Sequence, residues 1–489
     1  MKTDTHTLGR WAARAVVTLL GLLLVIPGTA RAQAAPTPAA SSIAVLMKSY
    51  NADNGRIDAN GWWTAAVSLS TVMTYHQATG DSQYDYAITG AFAKNSNFTN
   101  DYIDDTGWWA LVWLQAYDIT GNTNYLNMAK TTTNYMHNYW DSQCGGGVYW
   151  STAKQYKASI ANELFLAATA GLHNRIAGDT TYGGWATDEW NWFRNSGLIK
   201  GNLVQDGLSV PNCTFSTANY SYNQGVILQG LVEKSRATGD TSLLSTATTI
   251  ANAAVARFNH NGVLYDGCEP NCTGDGSAFK GIFARYLRSL ANATRSTAYD
   301  TFLATTANSI LANDTNSAGQ QGNSFVGPFA LWTPSTQTAA AEVLVAALGP
   351  TTTPPPTNSS GVLRGQESSR CADVPNASQT NGARLALWDC NGGANQTWTT
   401  DSSGRLTVYG SKCLDVDGAG TADGTAVQIW DCNNTGAQTW SVRSDGTVVN
   451  TGSGKCLDAN GHGTANGTLL EIWTCNGGNN QVAPDLRRH

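Results

Sequence analysis

The sequence predicts two domains of different class, a mostly helical toroid followed by a small all-β unit with threefold internal symmetry. Three observations carry this. A Gly-Asp or Gly-Asn signal recurs behind helical hydrophobic patterns through the first two thirds of the chain. A Cys-x-Asp signal recurs three times in the last third. Between them, residues 350–360 form a Pro/Thr-rich linker that cannot build a core. A chain of 489 residues also exceeds what one ordinary core holds.

The helical signal stands at Gly80-Asp81, Gly121-Asn122, Gly178-Asp179 and Gly239-Asp240, with a weaker copy near Arg295. Each Gly can take the left-handed conformation that ends a helix, and the following Asp or Asn can cap or turn into the next. Helical patterns precede them, as over 108–117 and 226–235, and 336–348 reads as a final helix. Five or six hairpins over residues 35–349 suggest a closed α/α toroid with its cleft at one end. An open solenoid, the alternative, has shorter and more regular repeats.

The small domain, residues 361–489, repeats at Cys371-Ala372-Asp373, Cys413-Leu414-Asp415 and Cys456-Leu457-Asp458. Each unit continues to a Trp two residues before a second Cys: Trp388, Trp430 and Trp473. Short alternating runs such as 426–430 read as strands. Three units too small to stand alone must share one core.

Residues 1–34 read as a secretory signal: Lys2, Arg10 and Arg14, then the apolar run 15–26, then small residues around Ala32. The run is shorter than the roughly 20 residues that span a bilayer, so the mature chain is expected to be secreted and free of the membrane. The 10 cysteines fit that compartment. Equal spacing makes Cys371/Cys390, Cys413/Cys432 and Cys456/Cys475 the natural pairs. Cys268 and Cys272 could close a tight loop, and Cys144 and Cys213 would then pair by elimination. A zinc site at Cys268/Cys272 lacks the further close ligands it needs. With 29 Lys+Arg against 35 Asp+Glu and no basic run, nucleic acid is a poor partner. Only 13% charged residues alongside 17 Trp hint at neutral polar ligands such as sugars.

The sharpest chemical feature is Asp104-Asp105-Thr106-Gly107-Trp108-Trp109. Two adjacent carboxylates stand just before a helix. Glycoside hydrolysis commonly uses two carboxyl groups, one ionised and one protonated, and closeness pushes their pKa values apart. Neighbours along a chain suit the short separation of a retaining enzyme, and Trp offers a flat apolar face to a sugar ring. The structural alternative is a helix N-cap with core tryptophans. A rival pair, Asp188-Glu189, favours helix start and packing.

This stretch resembles the signature of glycoside hydrolase family 76, the endo-α-1,6-mannanases. Further segments are similar in order: Gly61-Trp62-Trp63, the run 145–150, Tyr156-Lys157, the run 161–165, the run 222–225 and Phe279-Lys280-Gly281. The resemblance implies an (α/α)6 barrel, and retaining hydrolysis with Asp104 as nucleophile and Asp105 as acid/base. Candidate substrate contacts are Trp62, Trp108, Trp109, Asn162, Asn223, Gln224 and Lys280. No metal or organic cofactor is implied. Glu163 reads as structural, and Tyr149 and Trp150 as subsite or packing residues.

The small domain resembles ricin-type β-trefoil lectins, the family 13 carbohydrate-binding modules. By that resemblance Asp373, Asp415 and Asp458 accept sugar hydroxyls, Trp388, Trp430 and Trp473 stack on the ring, Asn395 supports the first site and Asn480 the third. Trp398 and Trp440 read as core. The second unit has Ala437 where the first has Asn395, and the third has Ala483 in place of a core Trp, so a missing contact and a weakened last strand are expected. The expectation is a secreted monomeric endo-α-1,6-mannanase tethered to mannan-type polysaccharide. A transglycosylase of the same fold and an inactive binding barrel are its alternatives.

Overall fold

Six inner helices form the helical domain's core: α2 (Trp62–Thr79), α4 (Ile103–Thr120), α6 (Ser159–Arg175), α8 (Ser221–Thr238), α10 (Phe279–Thr294) and α12 (Pro334–Ala346). Each packs on the next, and α12 packs back on α2, so the ring closes. Six others alternate with them: α1 (Pro38–Met47), α3 (Tyr86–Lys94), α5 (Thr123–His137), α7 (Thr181–Asn195), α9 (Ser242–Arg257) and α11 (Asp300–Asn313). This computed structural model describes residues 36–57, 61–176, 178–349, 359–400, 405–433, 435–442 and 447–485. The leader over 1–34 and nearly all of the linker over 350–360 lie outside the described residues.

Burial explains which helices are inner. Every residue from Ser159 to Leu172 of α6 is buried, whereas α9 buries only Leu243, Ala247, Ile250, Ala251 and Ala254. A helix apolar all round must sit inside, while a one-sided stripe covers a core. Each buried aliphatic side chain contributes about 1.5–3 kcal/mol. Gly80, Gly121 and Gly239 take the left-handed cap as expected, each donating its N–H to the carbonyl four residues back. At the weaker copy Arg295 takes that conformation itself. Gly178 departs from the expectation: α6 ends at Arg175 with an extended Ile176 as its cap. Gly178 is left-handed in the turn beyond, and Asp179 accepts from the N–H groups of Thr181, Tyr182 and Gly183.

The second domain has its own apolar core, including Trp398 and Trp440 as expected. Their indoles donate to the Ala372 and Leu414 carbonyls at 3.0 and 2.9 Å. Its first strand, Ser359–Gly365, begins two residues before the expected boundary at 361. The last strand is also present: Val482–Asp485 pairs antiparallel with it, Val482 opposite Gly365. Backbone pairing needs no Trp, so losing that side chain does not remove the strand.

All five disulfides form. Cys144–Cys213 and Cys268–Cys272 lie in the helical domain. Cys371–Cys390, Cys413–Cys432 and Cys456–Cys475 lie in the β domain, each with a separation of 19. The two halves of these three bridges stand in different surroundings, which equal spacing alone did not foretell. Cys371, Cys413 and Cys456 are buried strand residues. Cys390, Cys432 and Cys475 lie past the ends of the Trp-bearing strands and outside the core; Cys390 is exposed, and Cys432 and Cys475 are half-buried. The register gives the reason. Each buried Cys faces the Trp of its unit across the strand pair, Cys371 opposite Trp388, Cys413 opposite Trp430 and Cys456 opposite Trp473. The second Cys, two residues beyond that Trp, therefore emerges into the loop and ties it back to the strand. These cysteines act as staples that hold the loops beyond the Trp-bearing strands.

Candidate active site

The N-terminal turns of five inner helices meet at one cleft. Trp63 comes from α2, Asp104, Asp105 and Trp108 from α4, Ile160 from α6, Tyr222 from α8 and Phe279 from α10. The segments between the helices add Tyr102, Trp150, Tyr156, Asp206 and Asp275 around a volume of about 560 Å³. Helix N-termini carry partial positive charge, which favours carboxylates placed there.

Asp104 and Asp105 lie inside the first turn of α4, which begins at Ile103 instead of after the pair, and the N-cap is Tyr102. They therefore do no capping. The entry to α4 is pinned from outside the helix: Ile103 N–H donates to the Trp150 carbonyl at 2.7 Å, and Tyr135 Oη to the Asn100 carbonyl at 3.0 Å. Gly107 lets α4 approach α6, since a Cβ there would stand 2.8 Å from Leu164 Cβ.

Both carboxyls are pushed up. Asp104 rises from 3.8 to about 8, mainly by burial and then by the Asp105 charge, against donors that include the Trp150 side chain. Asp105 rises to about 6, by burial and by Asp275, while Asn100 opposes the shift with a hydrogen bond of 2.6 Å to Oδ2. Asp104 Oδ1 takes no hydrogen bond. Near neutral pH the pair shares about one proton, favoured on Asp104 in the free protein. The sequence expectation put the proton on Asp105; deeper burial of Asp104 and the Asn100 donor on Asp105 reverse that preference.

This has a consequence for stability. The folded state holds the Asp104 proton more tightly than the unfolded chain does. Stability is therefore lost as pH rises from roughly 4, the unfolded pKa, through about 8, the folded one. Asp104→Asn should unfold at higher temperature than the native protein at pH 8. The gain should be at least about 1 kcal/mol after allowance for partial exposure, or about 2–4 °C. It should vanish in scans below roughly pH 4. An equal offset at both pH values would contradict the shift.

The other expected contacts divide. Trp108 lines the cleft, and so does Trp150. Trp62 does not; its neighbour Trp63 does, donating Nε1 to Asp275 Oδ1 at 3.0 Å. Half-buried Trp62 stacks on Phe98, and fully buried Trp109 packs tilted against both rings in the core. Asn162, Gln224 and Lys280 are corrected too. Asn162 holds the Val148 N–H and the Val148 and Ala158 carbonyls. Gln224 holds both backbone groups of Val204. Lys280 pairs with Glu269 at 2.6 Å and donates to the Asn323 carbonyl. Their polar atoms are committed to loops beneath the site, as buried groups require. Asn223 is fully buried and does not line the cleft. Glu189 of the rival pair accepts from Trp140 Nε1, also away from the cleft.

Sequence reasoning missed Asp206 and Asp275; Tyr156 and Tyr222 stand in segments that carry the family resemblance but were not among the expected contacts. Tyr156 Oη donates to Asp206 Oδ2 at 2.6 Å. The strand Tyr156–Ala158 pairs with Gly207–Ser209, which sets that contact, and the Cys144–Cys213 bridge ties the flanking loops. Among the described residues no group of three His, Cys, Asp or Glu side chains could hold a metal ion.

In the β domain Trp388, Trp430 and Trp473 are 43%, 41% and 41% exposed, a near-equivalent set of open aromatic faces. Beneath them lie the buried aspartates. Asp373 accepts from Asn395 and Gln396 at 2.8 and 2.7 Å, and Asp458 from Asn480 at 2.8 Å. The contact expected to be missing in the second unit is supplied instead by Gln428, which donates to Asp415 Oδ1 at 3.0 Å while Gln438 donates to Oδ2.

The glycosyl hydrolase family 76 model matches residues 35–359, and the ricin-type beta-trefoil lectin domain model matches residues 359–482. Mannan endo-1,6-alpha-mannosidase DCW1 of Candida glabrata is 29% identical over 260 residues, 47% of this chain and 58% of that protein. The DCW1 protein of Saccharomyces cerevisiae is 28% identical over 256 residues, 46% and 57%. The match thus spans little more than half the length of these relatives. Among solved structures, the GH76A alpha-1,6-mannanase from Salegentibacter sp. HEL1_6 superposes with a TM-score of 0.58 at 23% identity, over 63% of this chain and 98% of that one. An inactive variant of that enzyme with two aspartates replaced, in complex with alpha-1,6-mannotriose, gives the same TM-score at 22% identity, over 64% and 98%. These likenesses establish the fold.

Proposed function

The chain belongs to glycosyl hydrolase family 76, and we propose that it is a secreted, retaining endo-α-1,6-mannanase whose trefoil tethers it to mannan. The observation that carries the reading is the Asp104-Asp105 pair, both side chains lining one cleft with aromatic walls. The pair shares a proton, which suits a reaction needing one acid and one anion. The roles are those the family resemblance implies, Asp104 as nucleophile and Asp105 as acid, and they require the shared proton to leave Asp104 when substrate binds. Positive charge building on the anomeric carbon beside Asp104 favours its ionised form, so substrate moves the shared proton to Asp105. Asp105 protonates the leaving oxygen as Asp104 attacks the anomeric carbon. Asp105, now ionised, takes a proton from water, and the water oxygen attacks the anomeric carbon from the face the leaving group vacated, opposite Asp104, breaking the bond to Asp104 and retaining the configuration. Trp108 and Trp150 offer faces to mannose rings. Asp206 and Asp275 accept from sugar hydroxyls.

We assign catalysis to residues 35–349 and polysaccharide binding to the trefoil, whose Trp faces raise the local substrate concentration. Its disulfides fit the extracellular side, and among the described residues no helix is long and apolar enough to cross a membrane. The test is NMR of debranched α-1,6-mannan during turnover. The first-formed reducing end should be α; a β product preceding mutarotation would sink the retaining assignment, and no cleavage would sink the activity. The same assay on insoluble mannan, with and without residues 361–489, tests the tether: equal rates would remove it.

A further inference from the structure

The three lectin units differ at one position across the strand pair that carries each buried aspartate. Asp373 faces Ala386, Asp415 faces Gln428 and Asp458 faces Glu471 in register. In the second unit the facing residue is a donor, and its amide satisfies the aspartate. In the third it is a second carboxylate. Asp458 and Glu471 are 2% and 4% exposed, so two like charges meet at a cross-strand pair where opposite or neutral partners are favoured.

The donors present do not settle that charge. Asn480 serves Asp458 Oδ1 and Asn460 serves Glu471 Oε2 at 2.6 Å. Asp458 Oδ2 takes no hydrogen bond although it is buried. Gln481, whose counterparts Gln396 and Gln438 donate to their aspartates, donates instead to the Thr474 carbonyl at 3.2 Å. Its amide is near enough to oppose the upward shift of Asp458 without cancelling it. The base that acts on Asp458, His462, is bonded to Glu367 at 3.1 Å. Burial and the Glu471 charge raise Asp458 to about 6, so the site is still anionic at neutral pH.

An aromatic face opens onto the same place. A Cβ on Gly424 would stand 3.9 Å from the Trp473 ring and 4.0 Å from Glu471 Oε2. A Cβ on the corresponding Gly382 would stand 3.8 Å from both the Trp430 ring and Gln428 Oε1. A ligand resting on Trp473 therefore meets a carboxylate where one on Trp430 meets an amide.

We infer that the third lectin site takes a sugar bearing a protonated amine, with Glu471 setting that preference, while the first two sites take neutral sugars. The ammonium would give Asp458 Oδ2 its missing donor and offset the paired charge. This rests on reading the trefoil as a carbohydrate-binding domain.

The experiment uses the full chain carrying Asp104→Asn, Asp373→Ala and Asp415→Ala, so that only the third site remains. Calorimetry near neutral pH compares the methyl glycosides of mannosamine, N-acetylmannosamine and mannose. The amine should bind at least about tenfold tighter than its N-acetyl form. Adding Glu471→Gln should bring that ratio to about one, and adding Asp458→Ala should abolish amine binding. An unchanged ratio in Glu471→Gln overturns the inference. So does amine binding that survives Asp458→Ala, which would place the amine in the acidic cleft. If the third site binds nothing while the chain with Asp373 and Asp415 intact still binds mannan, this inference alone falls. If that chain binds no sugar either, the lectin reading falls with it.

Discussion

Asp104→Asn and Asp105→Asn should each cut turnover of debranched α-1,6-mannan by about 10³-fold or more. Both side chains line the cleft, and asparagine keeps the shape of each and one acceptor oxygen for donors such as Asn100, so both variants should fold. The two losses should differ in kind. Without the acid at 105, a substrate with a good leaving group needs no proton, and its cleavage should recover by at least about tenfold. Without the nucleophile at 104 it should not recover. Near-normal turnover by either variant, with folding checked by circular dichroism, would overturn the pair. Recovery at 104 and not at 105 would exchange the two roles, which is the exchange that the proton's preference for Asp104 in the free protein makes worth testing.

How much of this was legible in the sequence depends on whether a signal was local. The Gly-Asp signals mark helix ends through conformations that lie within a few residues, so they reported hairpins before any packing was known. Ring closure is not local: α12 meets α2 across the whole domain, and among local signals only the hairpin count hinted at it, beside the family resemblance. The Asp104-Asp105 pair stood out because its neighbours, Thr106-Gly107-Trp108-Trp109, complete a run that resembles a family signature, and the trefoil because it repeats. The repeat also gave the pairing of Cys390, Cys432 and Cys475, but not their place outside the core, which depends on where each strand ends. Asp206 and Asp275 carry no such mark. Each is a single acid in a loop, brought to the cleft by strand pairing in one case and by the short helical turn Gly274–Ser277 in the other. Trp62 and Trp63 show the limit most plainly. Adjacent residues on a helix point about 100° apart, and composition cannot say which of them faces the cleft.

The same limit explains why Asn162, Gln224 and Lys280 were misread, and it leads to the largest expected effect on stability. The segments 222–225 and 279–281 each end in a helical glycine, and those glycines mark where inner helices touch. A Cβ on Gly225 would meet Phe283 Cα at 2.8 Å, where α8 crosses α10. A Cβ on Gly281 would meet the Ala339 carbonyl at 2.7 Å, and it overlaps Ala339 Cα and Glu342 Oε2 more closely still, where α10 crosses α12. These neighbours are largely backbone, so no rotamer change makes room and the helices must part. Parting them also loosens the buried Arg285–Glu342 pair, 3.1 Å apart across that crossing. Gly281→Ala should therefore cost about 3 kcal/mol or more, although alanine is the better helix former. That corresponds to a fall in Tm of about 6–12 °C. Gly184, in the outer helix α7, has nothing within 4 Å of its would-be Cβ, and Gly184→Ala should stabilise by about 0.5–1 kcal/mol. Thermal unfolding of the two variants side by side separates the causes. If both shift Tm upward, the crossing has slack, and Phe279-Lys280-Gly281 needs a reason other than close helix approach.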